Sequence, residues 1–358
     1  MTTYLLAGGG TAGHVNPLLA VADEIRETEP RAQIVILGTT EGLESRLVPA
    51  RGYDLLTIPR VPFPRRPNRA ALTFVPKYLS AVRQVAGIIN RHSVDVVVGF
   101  GGYVSAPVYR AAQKTSTPFV IHEANAKPGL ANVVGARRTK FVGVAFEGTP
   151  LPHSRFVGMP LRKEIAALRT ETAGSEAHAH FGLDPSRKTL LVTGGSQGAR
   201  QINNGIAGAA QKIVDHGFQI LHVWGERTEI ADPGIDHYSI IAYSDRMDLA
   251  LSVADAAVSR AGSATVSELT GLGIPTVYVP YPVGNGEQRY NVAGLVAVGG
   301  AMLVDDANFT PEWVENNLVP LLGDVSKLNS MAERAAQHGV LDGTQRTLAL
   351  IHEAIGLS

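Results

Sequence analysis

Short, nearly continuous apolar runs recur along the first half of the chain, at Tyr4–Ala7, Ile34–Leu37, Leu55–Ile58, Val94–Val98, Phe119–Ile121 and Phe141–Val144. They are rich in Val and Ile and bounded by Gly, Pro or Asp, so they read as strands. Their lack of apolar–polar alternation suits parallel strands covered on both faces. The segments between them, such as Leu18–Thr28 and Tyr78–Asn90, carry apolar residues at helical spacing. Strand and helix in alternation imply a doubly wound parallel sheet. The rhythm breaks after the short run Arg155–Val157, at the turn-rich "GMPLR" of Gly158–Arg162 and the polar "TETAGSEAHAHFG". It resumes at Lys188, with strands expected at Leu190–Thr193, Gln219–Val223, Ser239–Ala242, Ala256–Ser259, Thr276–Val279 and Met302–Val304. Two α/β domains therefore meet near Gly158–Arg162, and a last helix, Gln345–Ile355, completes one or the other.

A length of 358 residues and 45% hydrophobic content fit two globular domains. Lys and Arg balance Asp and Glu at 32 each, so no global charge calls for nucleic acid. Cysteine is absent, which excludes disulfides, thiolate metal sites and thiol nucleophiles and fits a reducing cytosol. The N-terminal apolar run is too short for a signal peptide, and no run reaches the roughly 18 residues that span a membrane.

The candidate chemistry lies where strands give way to helices. "LLAGGGTAGHVNP", Leu5–Pro17, contains Gly8-x-Gly10-x-x-Gly13, a loop that brings phosphate oxygens to bare backbone N–H groups at a helix start. A dinucleotide site also needs an acid about 20 residues on, at the end of the second strand. Gly38 and Thr39 stand there instead, so the loop reads as a phosphate site of another kind. His14 sits at the helix start, where the dipole favours the neutral imidazole and a general-base role. "GGSQGA", Gly194–Ala199, is a second such loop, with Ser196 and Gln197 as side-chain donors. In "SRAGSATVSELTGLGIP", Ser263 or Thr265 starts a helix able to take phosphate, and Glu268 is placed to grip a ribose diol. Gln288, Arg289 and Asn291 open another helix and can face sugar hydroxyls. "GFGGYVSAP" and "IHEANAKPG" each follow a strand of the first domain, at the sheet edge where doubly wound folds bind ligands. There Tyr103 lies on a glycine turn, and Glu123 can orient or activate a hydroxyl. His178 and His180 point apart on a helix, and no D-x-D occurs, so no metal site is expected.

Between Asp54 and Asp95 there is no acidic residue. The interval carries Arg60, Arg65, Arg66, Arg69, Lys77, Arg83 and Arg91, interleaved with Phe63, Leu72, Phe74, Val75, Tyr78 and Leu79. Basic side chains beside apolar ones suit an anionic membrane surface.

Seven stretches in order, "GGTAGHVNP", "GFGGYVSAP", "HEAN", "GMPLR", "TGGSQGARQIN", "RAGSATVSE" and "GEQRYN", resemble the MurG group of glycosyltransferase family 28. The resemblance covers nearly the whole chain. It implies a GT-B fold: an acceptor- and membrane-binding Rossmann-like domain over 1–160, a UDP-GlcNAc-binding one over 161–340 with a cleft between them, and a helix at 341–358 returning to the first. It implies an inverting, metal-free and cofactor-free transfer of N-acetylglucosamine from UDP-GlcNAc to the 4-hydroxyl of the muramoyl residue of lipid I. The product would be lipid II for peptidoglycan, made by a peripheral enzyme at the cytoplasmic face of the membrane.

Matched motif by motif, the donor contacts would be Thr11, Ala12, Gly13, Asn125, Arg162 and Ser196, with Ser244 at the uracil. Ser263, Ala264, Thr265, Val266, Ser267 and Glu268 would hold diphosphate and ribose, and Gln288 the sugar. The acceptor diphosphate would lie near Gly10–His14 and the Gly101–Gly102 turn with Tyr103. The general base is His14 or Glu123. Ala12, Ala124 and Met159 depart from the family's usual Gly, Gln and Asn, and Ala12 narrows the space for backbone approach. An NAD-dependent oxidoreductase lacks its ribose acid here. A transferase acting on another lipid, a nucleotide-sugar epimerase and a non-catalytic nucleotide-sugar-binding protein remain as alternatives.

Overall fold

The computed structural model describes residues 1–63, 69–169, 174–195, 198–225, 233–283 and 286–357. The chain divides into two compact units, Met1–Arg162 with Asp342–Ser358, and Lys163–Leu341. The first unit contains β1 (Thr3–Ala7), β2 (Gln33–Gly38), β3 (Leu55–Thr57), β4 (Val96–Gly99), β5 (Phe119–Glu123), β6 (Val142–Val144) and β7 (Ser154–Phe156). They pair in parallel in the order β3-β2-β1-β4-β5-β6-β7. The second contains β8 (Lys188–Thr193), β9 (Phe218–Val223), β10 (Tyr238–Ile241), β11 (Ala254–Ser259), β12 (Thr276–Tyr278) and β13 (Ala301–Leu303). These too are parallel, in the order β10-β9-β8-β11-β12-β13. Each apolar run falls on a strand, its ends moved by a residue or two.

Burial on both faces explains the runs. In β1, Leu5 and Ala7 join a core with Val82, Val85, Ile89 and Val108 on one face. Tyr4 and Leu6, pointing the other way, join Leu18, Val21, Ile25 and Leu348. The strand order reverses between β1 and β4, and again between β8 and β11. At such a point the crossovers diverge to opposite faces and leave a crevice at the carboxyl ends. The two units also share a brace at the opposite edge. Asp95 accepts the Thr3 N–H at 2.8 Å, and Asp255 accepts the Thr189 N–H at 2.8 Å.

The final helix, Gly343–Ala354, belongs to the first unit. Leu348 and Ile351 are buried against β1 and the Ala12–Thr28 helix, each worth about 1.5–3 kcal/mol. Gly343 starts the helix because a Cβ there would stand 2.3 Å from the Met159 carbonyl oxygen. Polar ties finish the docking. Thr344 donates to the Leu161 carbonyl at 3.1 Å, and the Glu29 carboxylate meets His352 Nε2 at 2.7 Å and the Tyr4 hydroxyl at 2.8 Å. Burial, then Glu29, raises the Tyr4 pKa. Arg155 pairs with Glu353.

Each unit buries one histidine completely. His122, on β5, meets the Gly158 carbonyl through Nε2 at 3.0 Å, so that nitrogen carries the proton. Burial, and secondarily His14, hold its pKa down to about 4. His222, on β9, is part of a closed chain. Asn203 donates Nδ2–H to the Trp224 carbonyl at 3.2 Å, so its Oδ1 accepts His222 Nε2–H at 3.1 Å. The Tyr238 hydroxyl must then donate to His222 Nδ1, at 2.8 Å. Burial lowers the His222 pKa to about 3.

These two groups set a pH dependence. The unfolded chain protonates each near pH 6.5, whereas the folded units keep them neutral. Stability is therefore complete above that pH and falls on acidification, by about 1.4 kcal/mol per pH unit for each histidine, until the folded values are reached. Urea midpoints should drop between pH 7 and pH 5. His222→Gln should lower the midpoint at pH 7 and remove the second unit's share of the slope; an unchanged slope would place the proton uptake elsewhere.

Candidate active site

In the first unit the loops after β1 and β4 touch. Gly102 (φ +84°) lies so close to Gly9 that a Cβ would stand 2.4 Å from the Gly9 carbonyl oxygen. Gly10 and Gly101 also have positive φ, +92° and +99°, where only glycine is unstrained. Thr11 caps the Ala12–Thr28 helix, which starts earlier than the apolar spacing suggests. Ala12, Gly13 and His14 thus form its first turn. His14 Nδ1 lies 3.1 Å from the Gly9 carbonyl oxygen and 3.2 Å from Thr11 Oγ1. A carbonyl only accepts, so Nδ1 carries the proton and Nε2 keeps its lone pair. That Nε2 sits against Gly101, 2.9 Å from where a Cβ would be.

The glycine loop is fastened from below by Glu44, which is only 1% exposed. Its carboxylate accepts the Gly10 N–H at 2.8 Å, the Thr39 N–H at 2.9 Å and the Thr39 hydroxyl at 2.7 Å. Burial alone would raise this carboxyl, but the Gly10 and Thr39 donors outweigh it and its pKa is lowered. Gly9, Gly38 and Gly42 are packed on the same side chain, each leaving no room for a Cβ. Glu123 plays a matching part after β5. Its oxygens accept the Asn125 N–H, the Gly129 N–H and Asn132 Nδ2–H, all at 2.9 Å. Asn132 in turn accepts the Tyr109 hydroxyl at 2.7 Å. Tyr103 follows the Gly101–Gly102 turn with its ring under the Arg60 guanidinium, 4.3 Å from the centroid. Arg162 is half-buried at the end of the unit's first segment.

In the second unit, Gly194 abuts Ala199, and Gly195 and Gly198 take positive φ to close a turn after β8. Ser196 lies outside the described residues. The Ser263–Leu272 helix follows β11, capped by Gly262. Ser263 and Val266 are buried; Ala264, Thr265, Ser267 and Glu268 are half-buried on its first two turns. Gln288 Oε1 accepts the Tyr281 N–H at 2.8 Å and the Ala261 N–H at 3.2 Å. It thereby ties the loop after β12 to the loop after β11 and leaves only its Nε2 end to donate. Asn291 Nδ2 donates to the Ala261 carbonyl at 3.2 Å. Ser244, buried beyond β10, accepts the Arg246 N–H at 3.2 Å. Among the described residues no group of three or more His, Asp or Glu is placed to hold a metal.

The profile of the glycosyltransferase family 28 N-terminal domain matches residues 4–144, and that of the family's C-terminal domain matches residues 189–347. The chain belongs to glycosyltransferase family 28. A relative from Leifsonia xyli subsp. xyli is 59% identical over 355 residues, 99% of each chain. One from Streptomyces coelicolor is 47% identical over 355 residues, 98% of each. Both are named UDP-N-acetylglucosamine–N-acetylmuramyl-(pentapeptide) pyrophosphoryl-undecaprenol N-acetylglucosamine transferase. Among solved structures, Acinetobacter baumannii MurG matches with a TM-score of 0.77 at 26% identity, covering 99% of this chain and 100% of its own. The two parallel-sheet units are the GT-B fold. A UDP-GlcNAc 2-epimerase from Neisseria meningitidis shares that fold, with a TM-score of 0.69 at 12% identity over 99% of this chain and 100% of its own.

Two further side chains hold these loops without having been singled out by the motifs. Glu44 stands six residues beyond Gly38, the end of β2, at the start of an ordinary helical stretch, and one of its targets, Gly10, lies on another loop. Arg260, 11% exposed, directly follows β11 and donates to the Val279 carbonyl at 3.0 Å while pairing with Asp306 at 2.5 Å. An arginine placed straight after a buried strand end was the available clue.

Glu44→Gln keeps the shape but turns an amide donor toward backbone donors. It should cost about 1–3 kcal/mol, read by chemical denaturation at pH 7, and should raise hydrogen exchange at Gly10. Because the folded pKa of Glu44 is lowered, its stabilising share is present above the usual carboxylate range and fades as the pH falls through it. The wild-type and Gln variant curves should therefore converge on acidification; parallel curves would deny Glu44 that role.

Proposed function

We propose that this protein transfers N-acetylglucosamine from UDP-GlcNAc to the 4-hydroxyl of the muramoyl residue of undecaprenyl-pyrophosphoryl-MurNAc-pentapeptide, lipid I. Lipid II and UDP are the products, in peptidoglycan synthesis. Family membership and the full-length relatives support the reaction. The observation that carries the mechanism is the His14 tautomer: Nδ1–H is committed to the Gly9 carbonyl, leaving a basic Nε2 beside the Gly101–Gly102 turn.

The acceptor's diphosphate lies at the start of the Ala12–Thr28 helix, on the N–H groups that follow Gly10, whose own N–H is held by Glu44. His14 Nε2 takes the proton of the attacking 4-hydroxyl. The new bond forms at the anomeric carbon as its bond to the diphosphate breaks, and a single displacement inverts the configuration. UDP leaves with the electron pair. No metal is needed, because the helix start at Ser263 and the loop holding Ser196 meet the negative charge that develops. Glu268 grips the ribose diol, Ser244 lies at the uracil, and Gln288 Nε2 donates to the sugar. Glu123 is the rival base. Its three accepted hydrogen bonds favour a positioning role for the loop that carries Asn125.

His14→Ala should cut kcat by about 10²–10⁴-fold, with the KM for UDP-GlcNAc little changed. Near-normal turnover would move the base role to Glu123. Full activity after treatment with EDTA is also expected; loss restored by a divalent cation would refute the metal-free step.

We infer that the protein binds the cytoplasmic face of the membrane peripherally, and an apolar and basic surface of the first unit supports this. Val75 and Leu79 stand exposed one turn apart on the Arg69–Arg91 helix, at 58% and 40%, with Phe63 at 60% nearby. Phe63 packs edge-on to Phe74, which stacks on Tyr78. Lys77 and Arg83 are exposed on the same helix. Leu130 and Val134, both 58% exposed, precede Arg137, Arg138 and Lys140 and add a second apolar and basic strip. Arg65 and Arg66 lie outside the described residues, as does the side chain of Arg69. No described helix is long and apolar enough to cross a membrane. Lys77→Glu with Arg83→Glu should weaken sedimentation with anionic vesicles, by about 1 kcal/mol per charge removed. The difference should shrink in high salt. Unchanged binding would place the contact elsewhere.

A further inference from the structure

Beside the acceptor loops, at the same carboxyl edge of the first sheet, lies a groove of about 640 Å³ lined by Thr40, Glu41, Thr57, Pro59, Arg60 and Pro62. No step of the transfer uses it. Its walls are the chain just beyond β2 and β3, and it is tied to the glycine loop through one side chain. Glu44 holds Thr39 with one oxygen and Gly10 with the other, so the groove and the loop move as one piece.

Arg60 is the groove's cation. Its guanidinium lies over the Tyr103 ring at 4.3 Å, which fixes its plane without consuming its N–H donors. Among the described residues its carboxylate neighbour is Glu41, 3.8 Å away, and the two side chains are 45% and 69% exposed. At that separation no hydrogen bond forms, and an exposed pair of this kind is worth little. An incoming carboxylate can therefore displace Glu41 and bind in bidentate fashion. Thr40 and Thr57 add hydroxyls suited to peptide amides.

We propose that this groove is a subsite for the acceptor's peptide, with Arg60 anchoring a carboxylate of that peptide and Glu41 holding the site closed to weaker anions. The inference rests on the transferase reading above, in which the acceptor is a peptide-bearing muramoyl diphosphate. Tyr103 connects the two sites, as it follows the Gly101–Gly102 turn and carries Arg60 on its ring.

The test uses the full chain and two short-chain, water-soluble acceptors, so that no membrane surface contributes. One carries the peptide; the other is the same muramoyl diphosphate without it. Arg60→Ala should raise the KM of the peptide-bearing acceptor about ten- to a hundredfold. It should leave the KM for UDP-GlcNAc and the KM of the peptide-free acceptor unchanged. Arg60→Lys should fall between, having the charge without the planar fork. Glu41→Gln should lower the KM of the peptide-bearing acceptor alone. An equal penalty on both acceptors would assign Arg60 to the diphosphate and overturn the proposal, as would no change on either. Turnover of both acceptors by the unaltered enzyme checks the transferase reading separately; its failure would remove both.

Discussion

The carbonyl of Gly9 is the point on which the first unit's site depends. One oxygen takes the Nδ1–H of His14 and lies under Gly102 at a distance no side chain allows. The backbone contact between the β1 and β4 loops therefore exists only because Gly102 lacks a Cβ, while Gly9 lacks one to make room for Glu44. It sets the separation of the two glycine turns, and it fixes the imidazole tautomer that makes Nε2 basic. Glu44 then supplies what the loop's own hydrogen bonding lacks. A glycine loop gains little from its side chains and loses more backbone entropy on folding than other sequence does. A buried carboxylate with three donors holds it in one conformation before any ligand arrives.

The two units repeat one plan and diverge where ligands are expected. Asp95 and Asp255 brace equivalent strand starts with the same bond length. At the other edge, the N–H of Phe100 reaches back to the Ala7 carbonyl at 2.8 Å, and that of Arg260 to the Thr193 carbonyl at 3.4 Å. Phe100 and Arg260 are thus equivalent positions with opposite chemistry. Phe100 packs beneath its crevice, against the His122 ring. Arg260 spans from the β11 loop to the carbonyls that end β12 and to Asp306. The first crevice is closed by apolar packing and glycine contacts, the second by charge and by the Gln288 and Asn291 amides.

What could be read in the sequence was whatever repeats locally. Apolar runs buried on both faces marked the central strands, because each residue of such a strand meets a helix layer, whereas the edge strands β3 and β7 are partly exposed. Glycines with positive φ marked the loops, because only glycine tolerates them. The final helix was ambiguous, since its apolar stripe would suit either sheet. Its assignment rests on single contacts at long range, Gly343 on Met159 and His352 on Glu29. Glu44 was illegible for the same reason. The missing acid at the end of β2 correctly argued against a dinucleotide. It said nothing of the acid six residues later that turns back under the loop, because nothing in local spacing records which of two loops a side chain will reach. The GT-B architecture also left the reaction open: an epimerase shares it at 12% identity, so it is the family's own residues that separate the chemistries.

The choice between the two candidate bases shows how far hydrogen-bond accounting reaches. A carboxylate has about four lone-pair sites, and Glu123 has given three to the loop that follows it. To take a proton it would weaken a bond that positions the loop carrying Asn125. His14 bears no such conflict. Its one committed nitrogen is a donor, so accepting a proton at Nε2 leaves the Gly9 bond intact and strengthens it through the new charge. A base that gains a proton without losing its anchor fits a site whose geometry hangs on that anchor.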